Sequence, residues 1–283
     1  MIAGLKNVLM ETSVYLPIQA KIRDIHQMNE STKLFNIDLP DGIHLNHRPG
    51  QFLQVSIMGV GEAPISISSS PSRTNGSFEI CVRRAGDFTG VMHQMRPGDV
   101  VGVRGPFGHG FPFERFRGKD MLFAPGGIGL PPLRSLINQV LDDRSNYGRV
   151  MILYGARNQS ELLFKEELQE WEEREDVELL VTVDRGDETW KGNVGVITTL
   201  FPKIQVYAPN TIAFTCGPQV MYRFVVAEFI SMGIREGNIY LDMERRMKCG
   251  IGKCGHCQIN NEYTCKDGPC FSYAHLKTLE EGL

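Results

Sequence analysis

The sequence lacks any apolar run long enough to cross a membrane as a helix, which takes about 20 residues. The apolar stretch Met121–Leu133 has only 13 residues, three of them prolines and three glycines. A second uncharged stretch, residues 204–222, is broken by Pro209 and Pro218. At the N-terminus, Lys6 and Glu11 come too early for the apolar region of a secretory signal. These absences predict a cytoplasmic protein.

The sequence also lacks a strong excess of either charge. It has 30 Lys and Arg against 33 Asp and Glu, a formal charge of −3, so nucleic acid is not expected as the main partner. A hydrophobic fraction of 42% with 22% charged residues excludes a disordered tail, a collagen-like fibre and a disulfide-rich miniprotein. The length of 283 residues favours two domains with a small appendage.

Three regions differ in pattern. Residues 15–115 contain short segments with period-two alternation, separated by Gly, Pro and Asp, which predicts an antiparallel barrel or sandwich. In residues 118–235, compact apolar runs alternate with amphipathic segments, which predicts a parallel sheet covered by helices on both faces. Ligands of such sheets bind at the carboxyl ends of the strands. Residues 236–283 show no long periodic element and carry most of the cysteines.

The cysteines are the most informative feature. Five of the seven fall within 22 residues, namely Cys249, Cys254, Cys257, Cys265 and Cys270. In a chain without an export signal, such clustering indicates metal chemistry rather than disulfides. The spacing C-x4-C-x2-C with a more distant fourth cysteine is the plant-type ferredoxin arrangement for a [2Fe–2S] centre. Cys249, Cys254, Cys257 and Cys265 are therefore the predicted metal ligands.

Other ligand sets remain open at this point. A structural zinc site also takes four thiolates, although zinc sites more often use paired C-x2-C hooks. Cys270 can replace Cys265 as the fourth ligand, or it is a buried thiol. His256 lies between two of the cysteines and is a candidate for a Rieske-like ligand or for an outward-pointing side chain.

A glycine-rich loop follows the first apolar run of the second region. It contains Gly126, Gly127 and Gly129 and leads into a helical segment through Pro131 and Pro132. Such a loop can bring backbone N–H groups and a helix N-terminus to a phosphate, or it is simply a tight turn. Cys216-Gly217-Pro218 follows a later strand and is expected at the same edge of the sheet, either against a nicotinamide or as a buried strand end.

Two segments of the first region are candidates for contacts with a ring system and a pyrophosphate. The first is Ala63-Pro64-Ile65-Ser66, and the second comprises Val82, Arg83, Arg84, Phe88 and Thr89. Taken alone, each segment is more typical of an ordinary strand and turn than of a cofactor site. The seven histidines show no catalytic spacing, so no catalytic residue is predicted.

Together these motifs resemble the ferredoxin–NADP reductase superfamily over nearly the whole chain. Within it, the chain is similar to the iron–sulfur flavoprotein electron-transfer subunits of sulfhydrogenase (gamma), anaerobic sulfite reductase (B) and dihydroorotate dehydrogenase. The resemblance rests on Tyr15-Leu16-Pro17 and on the motifs RPGQF, APISIS, RPGD, RGPFGHGF, APGGIGLPP, YGAR, CGP, MKCGIGKCGHC and CKDGPCF. The last two separate these subunits from plain reductases.

The resemblance implies a β-barrel FAD-binding domain, a doubly wound α/β NAD(P)-binding domain and a small C-terminal iron–sulfur segment. It places FAD against Ala63–Ser66, Val82–Arg84, Phe88 and Thr89. It places NAD(P) in a cleft formed by Gly126, Gly127, Gly129, Gly155, Arg157, Cys216, Gly217 and Pro218. It makes Cys249, Cys254, Cys257 and Cys265 the ligands of a [2Fe–2S] centre. Where the family commonly has arginine and tyrosine in its flavin motif, this chain has Ala63 and Ile65.

The function implied by the resemblance is electron transfer between a nicotinamide, FAD and the iron–sulfur centre, to or from a partner redox subunit. A hydrogenase or sulfite reductase type of partner is the first expectation, and dihydroorotate dehydrogenase or another redox complex the second. A zinc-stabilised adaptor without catalysis is the rival from a different class. The sequence does not distinguish NADH from NADPH, although Arg157 and Arg185 are candidates for binding a 2′-phosphate.

Overall fold

The structure is a computed structural model that describes residues 13–280, so the N-terminal segment considered for a secretory signal lies outside the described residues. The first part of the chain forms six strands and a short helix. These are β1 (Ile18–Asn29), β2 (Thr32–Asp38), β3 (Phe52–Ile57), β4 (Gly61–Ser66), β5 (Ser77–Arg83), α1 (Asp87–Met92) and β6 (Val100–Phe107).

The six strands pair into one antiparallel sheet in the order β4-β3-β6-β1-β2-β5. An antiparallel bridge between Ile67 and Ile80 links the two edges, so the sheet closes like a barrel. The inward side chains, among them Ile22, Phe35 and Leu53, are fully buried in one apolar core. The period-two alternation read from the sequence therefore corresponds to one face turned toward this core.

The second part of the chain alternates strands and helices. Its elements are β7 (Asp120–Pro125), α2 (Leu130–Asp142), β8 (Val150–Ala156), α3 (Lys165–Glu172), β9 (Val177–Val183), β10 (Asn193–Val194), β11 (Thr211–Cys216), α4 (Gln219–Ser231) and β12 (Ile239–Asp242). The central strands β7, β8 and β11 are buried along their whole length, as apolar runs in a parallel sheet must be.

The C-terminal part adds β13 (Gln258–Ile259), β14 (Glu262–Tyr263), α5 (Thr264–Asp267), β15 (Cys270–Ser272) and α6 (Tyr273–Leu276). The second sheet has the order β10-β9-β8-β7-β11-β12-β15, and only the β12–β15 pair is antiparallel. The end of the chain thus returns to the edge of the α/β sheet.

The predicted combination of an antiparallel barrel, a parallel α/β sheet and a small C-terminal segment is confirmed. Within residues 13–280, no helix is both long and apolar enough to cross a membrane.

Candidate functional site

A cavity of about 340 Å³, here called the central cavity, lies where the three parts of the chain meet. The barrel supplies Phe52, Pro64, Ile65, Ser66, Cys81, Val82, Arg83, Ala85 and Thr89. The α/β part supplies Ile128, Pro131, Pro132 and Cys216, and the segment from β12 onward supplies Asp242, Met243, Glu244, Arg245, Met247 and Pro269. Apolar walls with a few polar groups at this volume are typical of cofactor sites.

Six of the predicted flavin residues line the central cavity: Pro64, Ile65, Ser66, Val82, Arg83 and Thr89. The other three do not appear in its wall. Ala63 precedes the cavity-lining part of β4, and Arg84 is exposed just beyond β5. Phe88 packs against the barrel core instead.

Thr89 shapes the turn that borders the cavity. Its Oγ1 accepts hydrogen bonds from the backbone N–H groups of Ala85 at 2.9 Å and Gly86 at 3.0 Å. The same hydroxyl donates to the carbonyl of Gly86 at 3.1 Å. Because the hydroxyl is engaged three times within the turn, the role of Thr89 is to fix the backbone at the cavity rim.

The glycine-rich loop follows β7 and packs closely against the end of β11. The N–H of Gly126 donates to the carbonyl of Cys216 at 2.9 Å. A Cβ on Gly129 would lie 2.0 Å from the same carbonyl oxygen, so only glycine fits there. Gly127 has a positive φ of 54° and no heavy atom within 4 Å of a built Cβ, and it faces open space.

The remaining predicted nicotinamide residues lie at the carboxyl edge of the parallel sheet. Gly155 bridges to Gly126, and Gly217 and Pro218 follow β11 directly. Arg157 and Arg185 are exposed beyond β8 and β9, where the backbone N–H of Arg185 donates to the Arg157 carbonyl at 3.0 Å. Of the predicted nicotinamide residues, Cys216 alone is part of the central cavity wall, and burial raises its pKa.

Two acidic residues of the cavity wall were missed by sequence reasoning. Asp242 ends β12 and is 5% exposed, and its Oδ2 has no hydrogen-bond partner within residues 13–280. Burial, together with the nearby carboxylate of Glu244, raises the pKa of Asp242 to about 8. The raised pKa favours the protonated form of this carboxyl at neutral pH. The sequence signal that could have identified them is the position of Asp242 and Glu244 just before the MKCGIG motif.

The four predicted metal ligands lie together in the cysteine loop, residues 249–265. Cys257 and Cys265 are buried, and Cys254 is exposed. The thiols form two contacting pairs, Cys249 with Cys254 and Cys257 with Cys265. Hydrogen bonds from the backbone, led by His256, lower the pKa of Cys254 to about 7.

Backbone N–H groups of the loop point at sulfur. Gly252 donates to the Sγ of Cys265 at 3.0 Å, and Lys253 donates to the Sγ of Cys249 at 3.3 Å. In the described part of the chain, no three His, Cys, Asp or Glu side chains are arranged as ligands of one metal ion. Two pairs of thiols with N–H groups on their sulfurs fit an iron–sulfur cluster, which is held by thiolates and tuned by hydrogen bonds to sulfur.

The other two groups considered as ligands lie apart from these pairs. Cys270 belongs to β15 opposite Asp242, and its thiol donates to the carbonyl of Gly50 at 3.5 Å. Burial raises the pKa of this thiol. The side chain of His256 is exposed.

The barrel holds the cysteine loop in place through Arg104. Its side chain is 8% exposed, pairs with Glu62 at 2.5 Å and donates to the carbonyl of Cys249 at 3.2 Å. Phe52 joins the two halves of the site, because it lines the central cavity and also packs against Cys257 and Cys265. Met247 also lines the central cavity and packs against the cluster that these residues form. The cavity and the cysteine loop therefore share a wall.

The exposed side of the cysteine loop is basic. Arg246, Lys248, Lys253 and Lys266, which lie in the cysteine loop or within three residues of it in the sequence, are exposed. Within residues 13–280, none of these four side chains forms an ion pair. Lys253 reaches the ring of Tyr15, with its Nζ 3.1 Å from the Tyr15 hydroxyl. The positive charge is local, since the whole chain carries a formal charge of −3.

Comparison with known families divides the chain in the same way. The family described as oxidoreductase FAD-binding domain matches residues 19–111, and oxidoreductase NAD-binding domain matches residues 123–227. The iron–sulfur cluster binding domain of dihydroorotate dehydrogenase B matches residues 244–277. Among solved structures, an NADH-dependent reduced ferredoxin–NADP oxidoreductase shares the fold with a TM-score of 0.75 at 22% identity, covering 95% of this chain and 91% of that one.

Similarity to whole curated proteins is stronger. Sulfhydrogenase 1 subunit gamma of Pyrococcus furiosus is 40% identical over 95% of both chains. A probable dihydroorotate dehydrogenase B electron transfer subunit of Methanocaldococcus jannaschii is 32% identical over 94% of this chain and 93% of the other. The chain therefore belongs to the ferredoxin-reductase-like family of oxidoreductase subunits that combine FAD-binding and NAD-binding domains with an iron–sulfur cluster binding domain.

Proposed function

We propose that this protein is the NAD(P)H-linked electron-transfer subunit of a larger redox complex. In this proposal FAD binds to residues 15–115, the nicotinamide to residues 118–235, and a [2Fe–2S] centre to residues 236–283. The observation that carries the proposal is the wall shared by the central cavity and the cysteine loop. Because Phe52 and Met247 contact both, a group in the cavity and a group on the thiols lie next to each other.

The residues assigned in this proposal are those that the family resemblance implies. FAD contacts Pro64–Ser66, Val82, Arg83 and Thr89 in the cavity wall, and Ala63, Arg84 and Phe88 support these contacts from neighbouring positions in the chain. The nicotinamide lies at the carboxyl edge of the parallel sheet against Gly126, Gly127, Gly129, Gly155, Arg157 and Cys216–Pro218. Cys249, Cys254, Cys257 and Cys265 hold the irons, and their C-x4-C-x2-C spacing with a more distant fourth cysteine supports a two-iron centre.

Bound FAD supplies the chemistry that the chain lacks, because it accepts a hydride from the nicotinamide and exchanges single electrons with the iron–sulfur centre. The side chains of the protein itself position the cofactor and keep water away from it. The apolar side chains of Ile65, Ile128 and Pro131 exclude water from the cavity wall. Asp242, whose pKa is raised by burial, lines the cavity together with Glu244, two residues further along the chain.

The partner is proposed to bind at the exposed edge of the cysteine loop. Cys254 is the ligand nearest to solvent, so electrons enter or leave on this side. The cations around it fit an acidic surface on the partner subunit. The relation to sulfhydrogenase gamma subunits favours a partner of the hydrogenase type, and the sequence adds a sulfite reductase type of partner and a cytoplasmic location. Dihydroorotate dehydrogenase is the second candidate, favoured by the family match to residues 244–277.

The test begins with protein purified without oxygen. We expect one flavin and two irons with two sulfides per chain, and reduction of a viologen dye by NADH or NADPH. A colourless protein that contains zinc would instead support the non-catalytic adaptor. A fully loaded protein that does not reduce the dye with either nucleotide would contradict the proposed function.

A further inference from the structure

The side chain of Gln54 is an unsatisfied amide in the middle of the barrel wall. It lies in β3 and is 0% exposed. Neither its Oε1 nor its Nε2 has a hydrogen-bond partner within the described part of the chain. Buried amides are almost always hydrogen-bonded, since they lose their bonds to water on burial. The position of this amide therefore indicates what it bonds to.

The register of β3 turns Gln54 toward the cysteine loop. Successive side chains of a strand point to opposite faces, and Leu53 and Val55 point into the barrel core. Phe52 and Gln54 therefore share the outer face, where Phe52 packs against Cys257 and Cys265. Gln54 itself touches the loop, since a Cβ built on Gly250 would lie 3.0 Å from its Cγ.

The neighbouring donors on this face already have acceptors. Arg104, the partner of Gln54 in the register of β3 and β6, is bonded to Glu62 and to the carbonyl of Cys249. The backbone N–H groups of Gly252 and Lys253 point at the sulfurs of Cys265 and Cys249. The Gln54 amide is a further donor on this face, and within residues 13–280 it has no acceptor.

We propose that the side-chain N–H of Gln54 donates a hydrogen bond to a sulfur of the iron–sulfur centre and raises the reduction potential of that centre. This inference rests on the proposed function. Reduction adds one electron and makes the sulfurs more negative, so an N–H donor stabilises the reduced form more than the oxidised form. No bond is broken, and the donor keeps its proton. Gln54 thus acts on the centre directly, from a strand of the barrel.

The proposal gives strand β3 two roles on one face. Phe52 lies between the central cavity and the thiols, and Gln54, two residues further on, sets how readily the centre accepts an electron. The barrel that binds the flavin would then also adjust the driving force for the next electron transfer.

The test is a redox titration of the FAD-loaded protein. The electron paramagnetic resonance signal of the reduced centre monitors the titration. In Gln54→Leu, which keeps the bulk and removes the donor, we expect at least a tenfold lower equilibrium constant for reduction. For a one-electron couple this is about 59 mV toward more negative potential. Gln54→Glu replaces the donor by an acidic group and should shift the potential in the same direction. The flavin potential, measured in the same titration, should stay unchanged in Gln54→Leu.

Gln258→Leu is the matched control, because Gln258 follows Cys257 directly but is exposed and donates to the carbonyl of Asn260 at 2.6 Å. It should leave the potential of the centre unchanged. A Gln54→Leu protein with full iron and sulfide content and the wild-type potential would overturn the proposal. So would an equal shift in the control.

A measurement on the unaltered chain covers the case in which Gln54 variants lose the centre. With glutamine labelled by ¹⁵N at the side-chain amide, pulsed resonance of the reduced centre should detect one such nitrogen, and the signal should persist in Gln258→Leu. Absence of this coupling in protein with a full centre would contradict the proposal. Wild-type protein without iron would contradict the proposed function itself, before Gln54 is tested.

Discussion

The central cavity draws its wall from residues as far apart as Phe52 and Pro269, whereas the four cysteines beside it lie within 17 residues of one loop. The cavity therefore exists only when the barrel, the parallel sheet and the C-terminal segment are packed together. The cysteine loop instead takes its shape from short-range features, including Gly250, Gly252 and Gly255 at positive φ. A local motif and an assembled cavity should respond differently to mutation.

The largest expected effect is loss of the iron–sulfur centre alone. Cys265→Ser removes a buried thiol that pairs with Cys257, so we expect no iron–sulfur signal and near-normal flavin content. Cys270→Ser changes another buried thiol, which bonds the carbonyl of Gly50, and it should keep full iron content. Iron, sulfide and flavin analyses check both variants. The reverse pattern, with iron lost only in Cys270→Ser, would show that the fourth ligand is misassigned.

The next effect concerns the connection between the two regions. Arg104→Leu leaves the carboxylate of Glu62 without its partner and releases the carbonyl of Cys249. Only the Arg104 side of this ion pair is buried, so breaking it should lower the free energy of unfolding by about 2 kcal/mol and speed loss of iron to a chelator. The exposed pair of Arg48 and Glu114 provides the control, and Arg48→Leu should cost less than about 1 kcal/mol. Equal effects in denaturant titrations would contradict the assignment.

Acid should weaken the barrel region through His47. Burial lowers the pKa of His47 to about 4, although its ring bonds the carbonyl of Ser69 at 2.9 Å. Because the unfolded chain binds this proton near pH 6.5 and the folded chain does not, stability is full above that pH. It falls as the pH drops toward 4, by about 3 kcal/mol at 1.36 kcal/mol per pKa unit.

His47→Gln should remove most of this loss, measured as the free energy of unfolding at pH 7 and pH 4.5. The variant and the wild type would then differ in slope across this window. Parallel stability curves for the two proteins would exclude His47 as the titrating group.

The smallest effect is confined to the cavity rim. Thr89→Val removes the hydroxyl that accepts the N–H groups of Ala85 and Gly86, at a cost of about 1 kcal/mol. FAD should bind about fivefold more weakly, while the iron content stays normal. Thr199→Val, which removes a hydroxyl bonded to the Val196 carbonyl in the α/β part, should leave FAD affinity unchanged. Titration of FAD into the apoprotein distinguishes the two.

The same contrast explains what the sequence could predict. The cysteine spacing, the barrel and the parallel sheet were predictable because ligand spacing and hydrophobic periodicity are local properties. Phe52, Asp242 and Glu244 were missed as cavity residues, since their role depends on how distant elements pack. The three-residue strand β15, which returns the chain to the α/β sheet, is too short to show a period.

The glycine-rich loop shows a further limit of sequence reasoning. A phosphate cradle and a tight turn both require glycine, and the sequence alone does not separate them. In the structure, close approach to the Cys216 carbonyl accounts for Gly129. The side chains of Ile128, Pro131 and Pro132 turn toward the central cavity. The loop therefore contributes an apolar wall to that cavity. No sequence motif predicted this role.

The central claim is that electrons pass from a nicotinamide through the cavity to the cysteine loop within one chain. Rapid mixing of the loaded protein with NADH or NADPH, without any partner, tests it most directly when the flavin absorption and the paramagnetic signal of the iron–sulfur centre are followed together. The account predicts loss of the flavin band followed by the signal of the reduced centre, with only the first change in Cys265→Ser. A flavin that is reduced while a dithionite-reducible centre beside it stays oxidised would contradict it.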